Sequence, residues 1–170
     1  SISYTSGYAG AKTISGGAGV TVSAEDSASI EASITLATSA ASSNPNPFAD
    51  AASVGISGGV SMNDVRGGAT ALLDKATVTA GGTVSVSATE SATLTAELTS
   101  ETTSEGGPGD FGNGTSLAVG GLISTNLVLS AATATLSNST VTTTGTGSDV
   151  TVEAENTATI DATVNNSVTA

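Results

Sequence analysis

Apolar and polar residues alternate along most of this chain with a period of two. Val20, Val22, Ala24, Ala28, Ile30, Ala32 and Ile34 sit at even positions, with Thr21, Ser23, Glu25, Ser27, Ser29, Glu31 and Ser33 between them. The pattern recurs at Val84, Val86, Ala88, Ala92, Leu94, Ala96 and Leu98, and again at Val150, Val152, Ala154, Ala158, Ile160, Ala162 and Val164. Successive side chains of a strand point to opposite faces, so this spacing predicts strands with one buried and one wet face. One polar residue interrupts each apolar set, Asp26, Glu90 or Asn156, and is expected at a corner between two short strands. Further strands are predicted over Val54 to Met62, Ala69 to Leu73 and Thr77 to Ala80, separated by Gly pairs and Asn/Asp turns. The Ala-rich "ASIEASITLATSAA" could favour a helix, but no apolar set at helical spacing survives in all three versions.

The versions are copies of one repeat. Val20, Val84 and Val150 align at offsets of 64 and 66, and "SVGISGGVSMNDVRGGATALLDKATVTA" from Ser53 matches "SLAVGGLISTNLVLSAATATLSNSTVTT" from Ser116 at a constant offset of 63. The divisions are an incomplete copy 1–19, copies 20–83 and 84–149, and an incomplete copy 150–170. A strand-turn-strand unit cannot close a core alone, so copies must stack. The predicted fold is all-β: a parallel β-solenoid, a right-handed β-helix, forming an elongated rod. Coils of roughly 20 to 25 residues spaced ~4.8 Å apart would give two to three coils per copy.

Two stretches break the alternation, "TSAASSNPNPFAD" over 38–50 and "TSETTSEGGPGDFGNG" over 99–114. Each contains Pro, which cannot donate to a ladder, and one Phe among polar and Gly residues, so each reads as a loop on a rigid scaffold. Phe48 and Phe111 either pin these loops to the wall or serve as contact residues for a glycan or a neighbouring chain.

Composition narrows the chemistry. The chain has no Cys and no His, which removes thiol chemistry, disulfides, imidazole ligands and the commonest general base. Fifteen acidic residues against three basic ones (Lys12, Arg66, Lys75) give a net charge of -12. That balance disfavours nucleic acid and anionic membrane surfaces as partners. No apolar run reaches the ~18 residues needed to span a bilayer, so no membrane insertion is expected. Ser and Thr form about a third of the residues and the only aromatics are Tyr4, Tyr8, Phe48 and Phe111, which suits thin, closely stacked layers.

"ATVTAGGTVSVSATESATLTAEL" and "SNSTVTTTGTGSDVTVEAENTATIDATV" resemble repeats of very large bacterial surface adhesins and exoproteins of the filamentous-haemagglutinin and autotransporter type. The resemblance covers essentially the whole chain. It implies an exported stalk or fibre at the cell surface or in a biofilm matrix, extended by further repeats or by end-to-end self-association. It supplies no functional residues.

Other sites are weak in the sequence. "GGPGDFGNG" has some likeness to a calcium-binding Gly-Asp nonapeptide, yet the Asp is one place early and the motif does not iterate; Asp110 is the single calcium candidate. The Thr-x-Thr pairs that ice binding would need are interrupted by Glu31 and Asp161. A polysaccharide-cleaving site would need carboxylates with Arg or Lys on adjacent coils, but Arg66 and Asp64, expected together at a turn, become Leu129 and Leu127 in the next copy. No enzyme, cofactor or resident metal is therefore expected. The leading expectation is a structural segment for attachment, spacing or filament assembly, and the alternative is a glycan- or protein-binding module acting through the two loops.

Overall fold

The computed structural model describes residues 1–4, 7–10, 12–107 and 112–170. Every regular element among them is a strand: β1 (Ile2–Ser3), β2 (Thr13–Gly16), β3 (Val20–Ser43), β4 (Ala51–Asp74), β5 (Thr77–Ala80), β6 (Val84–Gly107), β7 (Gly114–Ser137), β8 (Thr140–Thr143), β9 (Val150–Asn156) and β10 (Thr159–Thr169). They form three sheets, ordered β1-β4-β7, β2-β5-β8 and β10-β6-β3, with β9 also paired to β6. The fold is the expected parallel β-solenoid.

The register corrects the expected coil length. Thr13 pairs with Thr77, Thr77 with Thr140, and Val84 with Val150, all in parallel. Each copy therefore lies directly on the next, and one copy is one coil rather than two or three. The reason is strand length. β3, β4, β6 and β7 are each 24 residues long, so a single circuit uses up the repeat. Asp26 and Glu90 lie inside unbroken β3 and β6 and make no corner; only the third copy is interrupted there, between β9 and β10. The strands also run on into stretches expected as loops. β3 continues to Ser43 and β6 to Gly107, and β7 begins at Gly114.

The chain divides into two compact units, the first comprising 1–29, 65–93 and 128–159, the second 30–64, 94–127 and 160–170. In the first unit the even-numbered side chains of β6 point inward as predicted. Val84, Val86, Ala88 and Ala92 join Ala71, Leu73, Val78 and Ala80 in a core that is essentially inaccessible to water. The middle copy is buried most deeply because it has a neighbour on both sides.

Two turns define the first unit's coil. At the β4–β5 turn, Lys75 and its counterpart Asn138 adopt left-handed backbones, φ 56° and 48°. Asp74 joins the two copies there: its Oδ1 accepts from Ser137 Oγ at 2.7 Å and from Asn138 Nδ2 at 2.8 Å, while Lys75 Nζ lies 3.5 Å from Oδ2. At the β5–β6 turn, Gly17, Gly81 and Gly145 stack. The Gly81 amide donates to the Gly16 carbonyl at 2.8 Å, and a Cβ on Gly81 would collide with the Gly17 carbonyl oxygen. Backbone meets backbone there, so no side chain can yield.

Gly81→Ala is expected to cost about 1–3 kcal/mol through overpacking. Gly17, whose Cβ position has nothing within 4 Å, is the control, and Gly17→Ala should stay within ~0.5 kcal/mol. Urea unfolding of the two variants checks the difference.

Candidate functional site

The connection 44–50 is held by its own polar groups. Asn44 Nδ2 donates to the Asp50 carbonyl at 3.2 Å, the Asn46 amide donates to Asn44 Oδ1 at 3.1 Å, and the Phe48 amide donates to Asn46 Oδ1 at 3.1 Å. These short Asx turns follow from Asn flanking each Pro. Asp50 is engaged with the next copy, its Oδ1 accepting from the Asn113 amide at 2.8 Å. The Phe48 side chain is 75% exposed, so it does not pin the loop by burial. Phe111 and Asp110 lie outside the described residues, and Asp64 and Arg66 lie within strand β4 on its exposed side rather than at a turn.

In the first unit, the polar residues that interrupt each apolar set form a column, with Glu90 buried in the middle copy, Asp26 half-buried and Asn156 at the exposed end. Gly67 makes room for it: a Cβ there would lie 2.6 Å from Asp26 Oδ2 and 3.4 Å from Glu90 Oε1. Asp26 Oδ2 accepts from the Gly68 amide at 2.8 Å. In the third copy Asn156 takes the place of the acid and donates to the Ser130 carbonyl at 2.9 Å. Glu90 is wholly buried, and neither carboxyl oxygen has a hydrogen bond. Burial, reinforced by the neighbouring Asp26 charge, raises its pKa. Being sealed from solvent, Glu90 cannot reach a substrate.

In the second unit β6 buries Leu94, Ala96 and Leu98 as expected, but β4 reverses the usual distribution of polarity. The β4 residues of this unit point inward at odd positions, and that inner face is Ser53, Gly55, Ser57, Gly59, Ser61 and Asn63. Hydroxyls join across the interior: Ser53 Oγ to Ser104 Oγ at 2.7 Å, Ser57 Oγ to Ser100 Oγ at 3.0 Å, and Ser57 also to Thr102. Asn63 Nδ2 donates to Asn126 Oδ1 at 2.8 Å, fixing β4 against β7 at the 63-residue offset. The large apolar residues of this part of β4, and those at odd positions of β7, face outward. Ile56 is 69% exposed, Val60 71%, Met62 77% and Ile123 62%, accompanied by Val54, Leu117, Val119 and Leu127.

The cause of this reversal is readable in the sequence. From Val65 to Leu73 the apolar residues of β4 other than Leu72 are odd-numbered, but from Val54 to Met62 the large ones are even-numbered. The strand does not shift phase to absorb that change, because its odd-numbered residues stay on the inner side from Ala51 to Leu73. One set must then face water.

A shallow cleft of about 520 Å³ opens beside Ser42, Ser43, Ser104, Glu105, Gly107 and Ser116, with Glu105 as its one charged group. Among the described residues no three His, Cys, Asp or Glu side chains converge to hold a metal ion. No family model, curated protein or solved structure matches the chain.

Two carboxyls set opposing pH limbs. Glu90 has a raised folded pKa, so it favours the fold fully below its ordinary value of 4.5 and loses that contribution as pH rises through the folded value. The Asp74 pKa is lowered, first by its hydrogen bonds from Ser137 and Asn138. Its contribution is present above the ordinary 3.8 and is lost as pH falls through the folded value. Thermal unfolding across pH should show Glu90→Gln flattening the fall in stability above 4.5 and Asp74→Asn flattening the acid limb below 3.8.

Proposed function

We propose that this chain is a structural segment of an extracellular bacterial adhesin-like repeat protein, a stalk or fibre that extends by adding copies in one register for attachment, spacing or filament assembly. The observation that carries this reading is the constant parallel register, with Thr13, Thr77 and Thr140 in one row and Val84 paired with Val150, so that each coil offers the next the same backbone edge and equivalent side chains to cover. Val84 and Val86 are wholly buried in the middle copy, whereas Val150 and Val152 of the third copy are 44% and 48% exposed. One more copy in the same register would cover them and pair the open backbone edge of β9 and β10. Each added coil would then present the edge it had just covered, which is the property a fibre needs. The acidic surface suits such a role, since it favours solubility and disfavours nucleic acid and anionic membrane. The likeness to surface adhesins supports an extracellular setting.

Exposed Phe48 favours a second reading, a glycan- or protein-binding module acting through the loops. A large aromatic on a polar connection can anchor a sugar ring or a partner. The two readings separate experimentally.

Appending residues 105–149 followed by 84–104 after residue 170, which is equivalent to residue 104 at the 66-residue offset, should raise the melting temperature and slow amide exchange over Val150–Thr169; unchanged exchange there would contradict the stacking role. Phe48→Ser should leave the melting temperature and assembly unchanged on the fibre reading. Loss of binding in this variant, measured on a glycan array or by pull-down with surface extracts, would favour the second.

A further inference from the structure

The outward apolar face of the second unit serves neither the core nor the stacking edge. Along β4 it reads Val54, Ile56, Gly58, Val60 and Met62, and along β7 Leu117, Val119, Gly121, Ile123 and Thr125, ending at Leu127. Two apolar ridges flank a glycine valley. Nothing lies within 4 Å of a Cβ placed on Gly121, and a Cβ on Gly58 meets only the Gly121 carbonyl, at 3.6 Å. The valley is therefore open space rather than a close approach of two backbones.

Size and charge identify the occupant. Eight apolar side chains, from 41% exposed at Leu127 to 77% at Met62, offer on the order of 700 Å². That exceeds the ~300–600 Å² of an ordinary monomer's largest patch and approaches the ~800 Å² each partner gives a standard interface. The second unit contains no Lys or Arg, and its other sheet carries Glu31, Glu97, Glu101, Glu105 and Asp161 outward. Another copy would be repelled by that acidic sheet and could approach closely on the β4–β7 sheet, whose outer face carries a charge only at its end, Asp64, among the described residues of this unit.

We propose that the outer face of the β4–β7 sheet is an interface between two copies of this chain, packed face to face with the Val60/Ile123 ridge of each seated in the Gly58/Gly121 valley of the other. A two-fold axis along the stacking direction achieves this with the facing strands antiparallel. It places Ile56 opposite Met62 and Leu117 opposite Leu127 across the interface, and leaves Asp64 at the rim. Such a contact is isologous and closes at two. Edge-to-edge stacking, by contrast, uses backbone hydrogen bonds and gives an open series, so the two associations are independent.

Sedimentation equilibrium on the whole chain tests the pairing. The wild-type chain should be a closed dimer at tens of micromolar. The double variant Gly58→Ile, Gly121→Ile fills the valley and enlarges the apolar area, yet should weaken the dimer at least tenfold. Val60→Glu, on an exposed position, should do the same with an unchanged circular-dichroism spectrum, and it keeps the test valid should the filled variant misfold. A monomeric wild type overturns the proposal, whether or not it floats with phosphatidylcholine vesicles. So does a filled variant that pairs as tightly as wild type, since the contact would then be unspecific adhesion.

Discussion

The in-register backbone ladder between copies is the constraint on which everything else in this structure depends. Thr13, Thr77 and Thr140 occupy one row, and so do Ile14, Val78 and Val141. Once successive copies are locked at offsets of 63 to 66 residues, every column through the molecule is made of equivalent residues. A favourable residue is reinforced by its equivalents, and so is an unfavourable one. The ladder gives Val84 and Val86 their dry environment, and it also stacks Asp26 against Glu90 and makes the Gly17, Gly81 and Gly145 turns touch through backbone atoms alone.

The ladder explains the two compact units as well. In the first, odd-numbered apolar residues of β4 and even-numbered ones of β6 both face inward, and a hydrocarbon core results. In the second, a continuous β4 carries the same odd-inward phase into a stretch whose large apolar residues are even. Hydroxyl pairs such as Ser53 with Ser104 and an Asn63–Asn126 rung line the β4 side of the interior there, beside the buried Leu94 and Leu98 of β6. Buried hydroxyls satisfied by one another are tolerated, and the displaced hydrocarbon becomes a surface available to a partner.

Much of this was legible in the sequence, because alternation and repetition are properties of individual residues. The strands around Val20, Val84 and Val150, the parallel stacking and the register between copies follow from where Val, Ile, Leu and Ala fall. Coil length did not follow. A polar residue such as Glu90 in an apolar row resembles a corner, and nothing local reveals that Gly67 on another strand leaves space for its carboxyl. The exposed face was missed for a related reason. The signal lay in the change of parity between Val54–Met62 and Val65–Leu73, which has meaning only once one unbroken strand is known to contain both. For Phe48, exposure depends on the fold of its loop, where the Asn44 and Asn46 side chains hold the backbone.

The one-copy, one-coil register can be measured directly, since a chain without cysteine accepts a clean reporter pair. Thr79 and Thr142 are Cα partners on the outer side of β5 and β8. Adjacent strands lie ~4.8 Å apart, within the ~4.4–6.8 Å a disulfide spans between Cα atoms. The double variant Thr79→Cys, Thr142→Cys should therefore close an intramolecular disulfide under mild oxidation, seen by mass spectrometry after digestion. Two to three coils per copy would hold the pair ~10–14 Å apart, and failure of the monomer to close this bond would contradict the register.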